Sequence, residues 1–204
     1  MEEKMAEIKP RFEFRTFAQN FGIVIDKMRK ISPLDKIRES SEIYIMSAGN
    51  SENNTKVRDD LMDIKVFVTR DRGLEQWNPR MKGSFPMKAA VIRDEVFPAF
   101  GVAVPDFKRE EYTLAQFIGE IIRPHKDLVP VSVFKRRYGF MVNNCITEYA
   151  ELLINGAAIQ TVAVESVSVE DILKAKEMLA LGDYENINYL HAIKRIIGME
   201  PLAE

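Results

Sequence analysis

The chain has 204 residues, 46% hydrophobic and 29% charged, enough for one ordinary domain over 1–204 with a sizeable core. Lys plus Arg number 29 against 31 for Asp plus Glu, and the formal net charge of −2 argues against nucleic-acid binding driven by bulk charge. One cysteine, Cys145, excludes an intrachain disulfide and a Cys-rich zinc site; two histidines, His125 and His191, exclude a three-His site, so a metal would fall to carboxylates, which favours Mg²⁺ or Mn²⁺.

No stretch approaches the ~20 apolar residues of a membrane span. The start, Met1-Glu2-Glu3-Lys4-Met5, has no apolar signal core, so the expectation is a cytoplasmic protein without a membrane partner. Arg11–Phe17 alternates charge (Arg11, Glu13, Arg15) with aromatics (Phe12, Phe14), the period of a strand. Phe21, Val24, Ile25 and Met28 then recur at helical spacing, predicting a helix over about 17–30 that Ser32-Pro33 breaks. Glu42–Ser47 reads as a strand, 49–54 as a polar turn, and Thr55–Asp59 as the returning strand with Lys56 and Arg58 on one face. Met62–Thr69 sets Ile64, Val66 and Val68 against Asp63 and Lys65. Gly73–Lys82 is a weaker strand, because Pro79 suits only an edge or a bend; Trp77 packs or borders the site there, and Arg80 could reach an anion.

Lys88–Phe97 reads as a helix stopped by Pro98, and a capping box at Thr113 and Gln116 opens another, to about Arg123. Val131–Tyr138 carries Val133, Lys135 and Arg137 on one face. Cys145–Ile154 and Ala157–Ser166 flank Asn155-Gly156, the strongest short hairpin signal in the chain. A two-residue turn there sets Ile154 opposite Ala157, Glu148 opposite Ala163 and Glu165 opposite Ile146. Ser168 starts a helix and a second runs over about 185–197, so helices over about 168–198 pack on the sheet. Antiparallel strands with helices inserted between them make an α+β fold. Cys145 reads as a buried small hydrophobe, His125 as a surface residue and His191 as packing or capping.

Charge at period two thus recurs on five strands: Arg11, Glu13 and Arg15; Lys56 and Arg58; Asp63 and Lys65; Lys135 and Arg137; Glu148 and Glu165. Either these are solvated outer faces joined by cross-strand ion pairs, or they point into a polar barrel. The second arrangement would suit a polyanion, since Lys and Arg from several strands can surround phosphate oxygens while carboxylates hold a divalent ion.

Several of these segments, taken in order, resemble the CYTH superfamily, the triphosphate tunnel metalloenzymes. Glu13-Phe14-Arg15 is similar to the second half of its Glu-x-Glu-x-Lys signature, and Lys56-Val57-Arg58 to its basic-x-Arg strand. Asp63-Ile64-Lys65 sits where the family has Thr-x-Lys, and Lys135-Arg136-Arg137-Tyr138 resembles Lys-x-Arg-x-x-Tyr with the tyrosine one place early. Glu148 or Glu151, Asn155-Gly156 and Glu165 resemble the acidic hairpin, and Asn188-Tyr189-Leu190 the terminal helix. The resemblance implies a closed eight-stranded antiparallel barrel, a tunnel with helices outside. It implies a small polyanionic phosphate ligand held by Arg11, Arg15, Lys56, Arg58, Lys65, Arg80, Lys135 and Arg137, with Lys65 and Arg58 serving catalysis. It also implies Mg²⁺ or Mn²⁺ on Glu13, Glu148 and Glu165, and hydrolysis of inorganic, nucleoside or thiamine triphosphate. Arg11 and Ala163 stand where the family has carboxylates, which weakens a metal site and leaves a non-catalytic nucleotide- or polyphosphate-binding module as the alternative.

Overall fold

The computed structural model describes residues 10–201. Its barrel strands are β1 (Phe12–Ala18), β2 (Lys36–Met46), β3 (Asn53–Arg58), β4 (Leu61–Asp71), β5 (Leu74–Ser84), β8 (Val129–Val142), β9 (Cys145–Ile154) and β10 (Ala157–Ser166). Every neighbouring pair is antiparallel, and the closed order is β1-β10-β9-β8-β2-β3-β4-β5. Closure runs through Phe12–Gln76 and Glu13–Glu75. The two-residue strands β6 (Met87–Lys88) and β7 (Glu111–Tyr112) form a separate ribbon. The fold is the α+β barrel expected from the sequence.

The Asn155-Gly156 turn forms with both residues at positive φ, as its residue types predict, and the pairs Ile154–Ala157, Ala163–Glu148 and Glu165–Ile146 all occur. Closure assigns each strand two environments. The outer faces of β1, β8, β9 and β10 bury Phe14, Phe140, Cys145, Tyr149, Val162 and Val164 beneath α1 (Ile23–Ile31) and α5 (Val169–Met178). The outer faces of β2, β3 and β4 bury Ile45, Val57, Met62 and Ile64 beneath two longer helical stretches. The first comprises α2 (Ala89–Val91), a π-helical turn (Ile92–Val96) and α3 (Phe97–Phe100). The second comprises α4 (Leu114–Gln116), opened by the Thr113 capping box, and a π-helical turn (Phe117–Ile122). A third cluster lies inside the barrel, where Tyr44, Met46, Val131, Val133, Leu152 and Ile154 meet Tyr189, Leu190 and Ile193 of α6 (Tyr189–Ile196). Helix α6 therefore plugs one end of the barrel.

Some boundaries differ from the sequence expectation. Strand β2 begins at Lys36, because ladder pairs with β8 from Lys36–Gly139 onward hold a polar stretch extended that has no apolar alternation of its own. Pro98 does not end its helix; it falls in the first turn of α3, where a missing N–H donor costs least. Val68 is 45% exposed rather than core, because the register shifts between Ile64 and Lys65 and again between Phe67 and Thr69. Helix α6 starts at Tyr189, capped by Asn188, whose side chain accepts from the N–H groups of Leu190 and His191. Among the described residues no helix is long and apolar enough to cross a membrane.

Ile193 is fully buried where α6 enters the barrel. Ile193→Ala should cost about 2–5 kcal/mol, measured as a lowered urea midpoint. A loss below about 1 kcal/mol would mean that α6 is not packed as a plug.

Candidate functional site

Because side chains alternate across a strand, the residues sharing the inward parity of the plug cluster project into the remaining barrel volume. There they line a cavity of about 280 Å³. Its wall carries Arg11, Glu13 and Arg15 from β1 and its N-terminal approach, Lys56 and Arg58 from β3, and Lys65 from β4. Lys135 and Arg137 come from β8, Glu148 from β9 and Glu165 from β10. Tyr44, Trp77 and Tyr189 add aromatic surface. Seven basic side chains thus face three acidic ones across this wall.

Every sequence-predicted site residue except Arg80 lies on this wall. Arg80 is exposed and unpaired in the ladder, the extra residue of a bulge where Ile64 pairs with Met81 and Lys65 with Pro79. Pro79 takes the inward place, and Arg80 is accordingly removed from the candidate set. Tyr138 and Glu151 also point outward: Tyr138 stacks on Tyr149, and both hydroxyls donate to Glu151. Of Glu148 and Glu151, only Glu148 reaches the cavity. Trp77, read as packing or as bordering the site, does both, since its Nε1 donates to Glu75 and its ring meets Phe67.

Glu42 is a component the sequence reading left in the background. Its side chain is fully buried on β2, between β3 and β8. One carboxylate oxygen lies 3.1 Å from Lys56 Nζ and 3.0 Å from Lys135 Nζ, and the other faces Arg137 at 3.7 Å and Arg58 at 3.9 Å. Burial pushes its pKa up, but Lys135 and Lys56 outweigh that and hold it at about 2. Lys135 Nζ also donates to Tyr44 Oη and sits 3.7 Å above the Tyr189 ring, which stacks against Tyr44. The Tyr189 hydroxyl and Arg137 Nε are buried and have no hydrogen-bond partner among the described residues.

The opposite wall is organised by Arg15. Its guanidinium donates to both Glu13 oxygens at 2.8 and 3.2 Å, lies 3.7 Å from Glu148, and covers the Tyr189 ring at 4.7 Å. Arg11 pairs with Glu165 at 3.2 Å. Glu13 and Glu165 stand directly opposite each other on β1 and β10. Burial and the neighbouring Glu13 charge push Glu165 up to about 7, while Arg15 overcomes burial and keeps Glu13 below the usual range. This pair therefore holds a shared proton across the acid side of neutrality. Lys65 makes no ion pair among the described residues and is exposed to the cavity.

A divalent ion needs several converging, uncommitted oxygen ligands. Among the described residues no three His, Cys, Asp or Glu side chains cluster as a metal site. Glu13 and Glu148 face Arg15, and Glu165 faces Arg11. In this arrangement Glu13, Glu148 and Glu165 do not fit Mg²⁺ or Mn²⁺, because Arg15 and Arg11 already engage their oxygens.

Solved structures with the same architecture include a candidate adenylyl cyclase from Hippeastrum described as having dominant triphosphatase activity. It is 11% identical, with a TM-score of 0.50 over 92% of this chain and 96% of that one. A candidate adenylate cyclase from Bacillus halodurans matches at 10% identity and a TM-score of 0.51, over 88% of this chain and 95% of that one. The chain shares the fold of these proteins, with its eight antiparallel strands closed into a barrel. No sequence-family model matches it, and no curated protein matches it in sequence. The resemblance read from the ordered segments therefore holds at the level of the tunnel fold, across a large sequence divergence.

The shared proton has a consequence for stability. Glu165 titrates near 7 when folded, against an ordinary 4.5, so the folded state binds an extra proton between those values and gains stability as pH falls through that window. Glu165→Gln, which mimics the protonated form, should raise stability by about 1 kcal/mol near pH 8, a figure discounted for partial exposure. The gain should vanish below about pH 4.5. Thermal melts at both pH values check this; equal effects at both would remove the shared proton.

Proposed function

We propose that the tunnel binds the triphosphate chain of a small molecule. The observation that carries this reading is the convergence of seven Lys and Arg side chains from four strands and their approaches on one small cavity. Such a cavity concentrates positive potential where water is scarce, which suits a polyanion better than any neutral ligand. Lys65 supplies an uncommitted ammonium group near the β4 side. Lys56 and Lys135 pair with Glu42, and Lys135 also donates to Tyr44, which leaves each ammonium group part of its donor capacity for phosphate oxygens. Arg137 and Tyr189 also line the cavity.

Size supports an inorganic chain or one whose organic group stays at the mouth. Pockets that enclose a drug-sized ligand run to roughly 300–1,000 Å³, and this cavity is about 280 Å³ and plugged by α6. Tripolyphosphate is accordingly the first ligand to test. Residues 1–204 serve this reading as one domain, with the C-terminal helix α6 belonging to the site through Tyr189.

Hydrolysis is the second reading, supported by the triphosphatase description of the Hippeastrum protein. Phosphoryl transfer relies mainly on positioning and charge neutralisation, and the basic wall with Lys65 and Arg58 supplies both. Divalent-metal dependence would require Arg11 and Arg15 to release their carboxylates, so the ion pairs favour binding that does not need a metal.

Calorimetry and phosphate release with tripolyphosphate, ATP and thiamine triphosphate, each in Mg²⁺, Mn²⁺ and EDTA, separate the two. The expected result is tripolyphosphate binding in EDTA, weakened about tenfold or more by Lys65→Ala. Metal-dependent turnover lost in Glu165→Gln would establish the hydrolase instead. A folded protein that binds none of the three would end the triphosphate reading.

A further inference from the structure

The side chain of Glu42 is fully buried in the barrel wall, and its place makes sense only in relation to the cations around it. Strand β2 lies between β3 and β8, with Glu42 opposite Arg58 on one side and Ser40 opposite Lys135 on the other. Without Glu42, Lys56 and Arg58 on β3 would face Lys135 and Arg137 on β8 across a single intervening strand. Ammonium groups that close repel one another and shed protons when removed from water. The Glu42 carboxylate touches both lysines at once, at 3.1 and 3.0 Å, and its second oxygen accepts from Ser40 Oγ. Lys135 is held further by donating to Tyr44 Oη, and both lysines line the cavity.

We propose that Glu42 is a positioning residue of the anion site, holding Lys56 and Lys135 as ammonium ions aimed into the tunnel and so setting the alkaline limit of polyanion binding. The inference rests on the triphosphate-binding reading and adds its pH control.

The other charged and titratable groups around these lysines fix the sign. Burial lowers both lysines from their ordinary value. For Lys135 the charges of Lys56 and Arg15 lower it further, with Glu42 opposing. For Lys56 the charges of Glu42 and Asp63 oppose burial, and Arg58 acts with it. Tyr44 and Tyr189, which flank Lys135, stay protonated because burial pushes both upward; Glu13 and Glu148 reinforce that in Tyr189. Arg137 faces Glu42 from β8 at 3.7 Å. Glu42 is thus the carboxylate in contact with both lysines, and removing its charge makes both lose protons at lower pH.

Tripolyphosphate affinity measured by calorimetry in EDTA, from about pH 6 to about pH 10, reads this directly. In the wild type, affinity should fall on the alkaline side as the lysines deprotonate. Glu42→Gln should move that fall down by about one pH unit or more, so that binding near pH 9 is about tenfold weaker than wild type. Glu42→Asp keeps the charge but withdraws it from contact, and should move the fall in the same direction by less. It gives the same reading if the glutamine variant does not fold. An alkaline limb unchanged from wild type in a folded variant, or tighter binding at every pH, would overturn the proposal. Absence of tripolyphosphate binding by the wild type would overturn the triphosphate-binding reading and this inference with it, whereas an unmoved limb overturns the inference alone.

Discussion

A closed barrel sends every second side chain of its strands into one confined volume, and charges placed there must compensate one another. This constraint organises the molecule. Eight strands leave an interior about wide enough for side chains to fill. At one end apolar residues and α6 fill it; beyond them the inward positions turn charged. The cavity exists because like-charged lysine and arginine side chains cannot close on each other as leucine and valine do.

Two carboxylate centres keep that charge tolerable. Glu42 serves the β3 and β8 cations, and Glu13 with Glu148 serves Arg15. Both centres meet at the stacked Tyr44 and Tyr189 rings, with Lys135 over one face and Arg15 close by. Tyr189 belongs to α6, so the plug helix is both the floor of the cavity and part of its chemistry. Asn188 ties it to β5 by donating to Glu75, and the main-chain N–H of Arg15 donates to Asn186 just ahead of the helix. Buried pairs of this kind contribute little net stability, but breaking one strands the other charge. What they secure is orientation.

The legible parts of the sequence were those encoded locally. Asn155-Gly156 specified its turn, and the turn specified the partners of Glu148, Ala163 and Glu165 along two strands. Alternation alone placed Lys135 and Arg137 on one face, and Lys56 and Arg58 on another. That these faces turn inward depends on closure between β1 and β5, residues far apart in sequence, and here the ordered family-like segments supplied what periodicity could not. Arg80 was misplaced because a bulge at Pro79 changes the parity without any mark in the pattern. Glu42 was passed over because a single acid at the start of an apolar run looks like a solvated strand end. Only the missed polar half of β2, paired residue by residue to β8, places it deep between two basic strands.

The departures from the family pattern find a physical meaning in the same geometry. Arg11 in place of a carboxylate pairs with Glu165, and Arg15 in place of a lysine grips Glu13 with two donors. The acidic side of the tunnel is thus served by the protein's own cations. The most direct test is a crystal structure of the protein grown with tripolyphosphate in EDTA. The account predicts a phosphate chain lying in the tunnel above Tyr189, in contact with Lys56, Lys65, Lys135 and Arg137, with the Arg15–Glu13 pair intact. A chain bound elsewhere on the surface, or an empty tunnel at saturating tripolyphosphate, would contradict it.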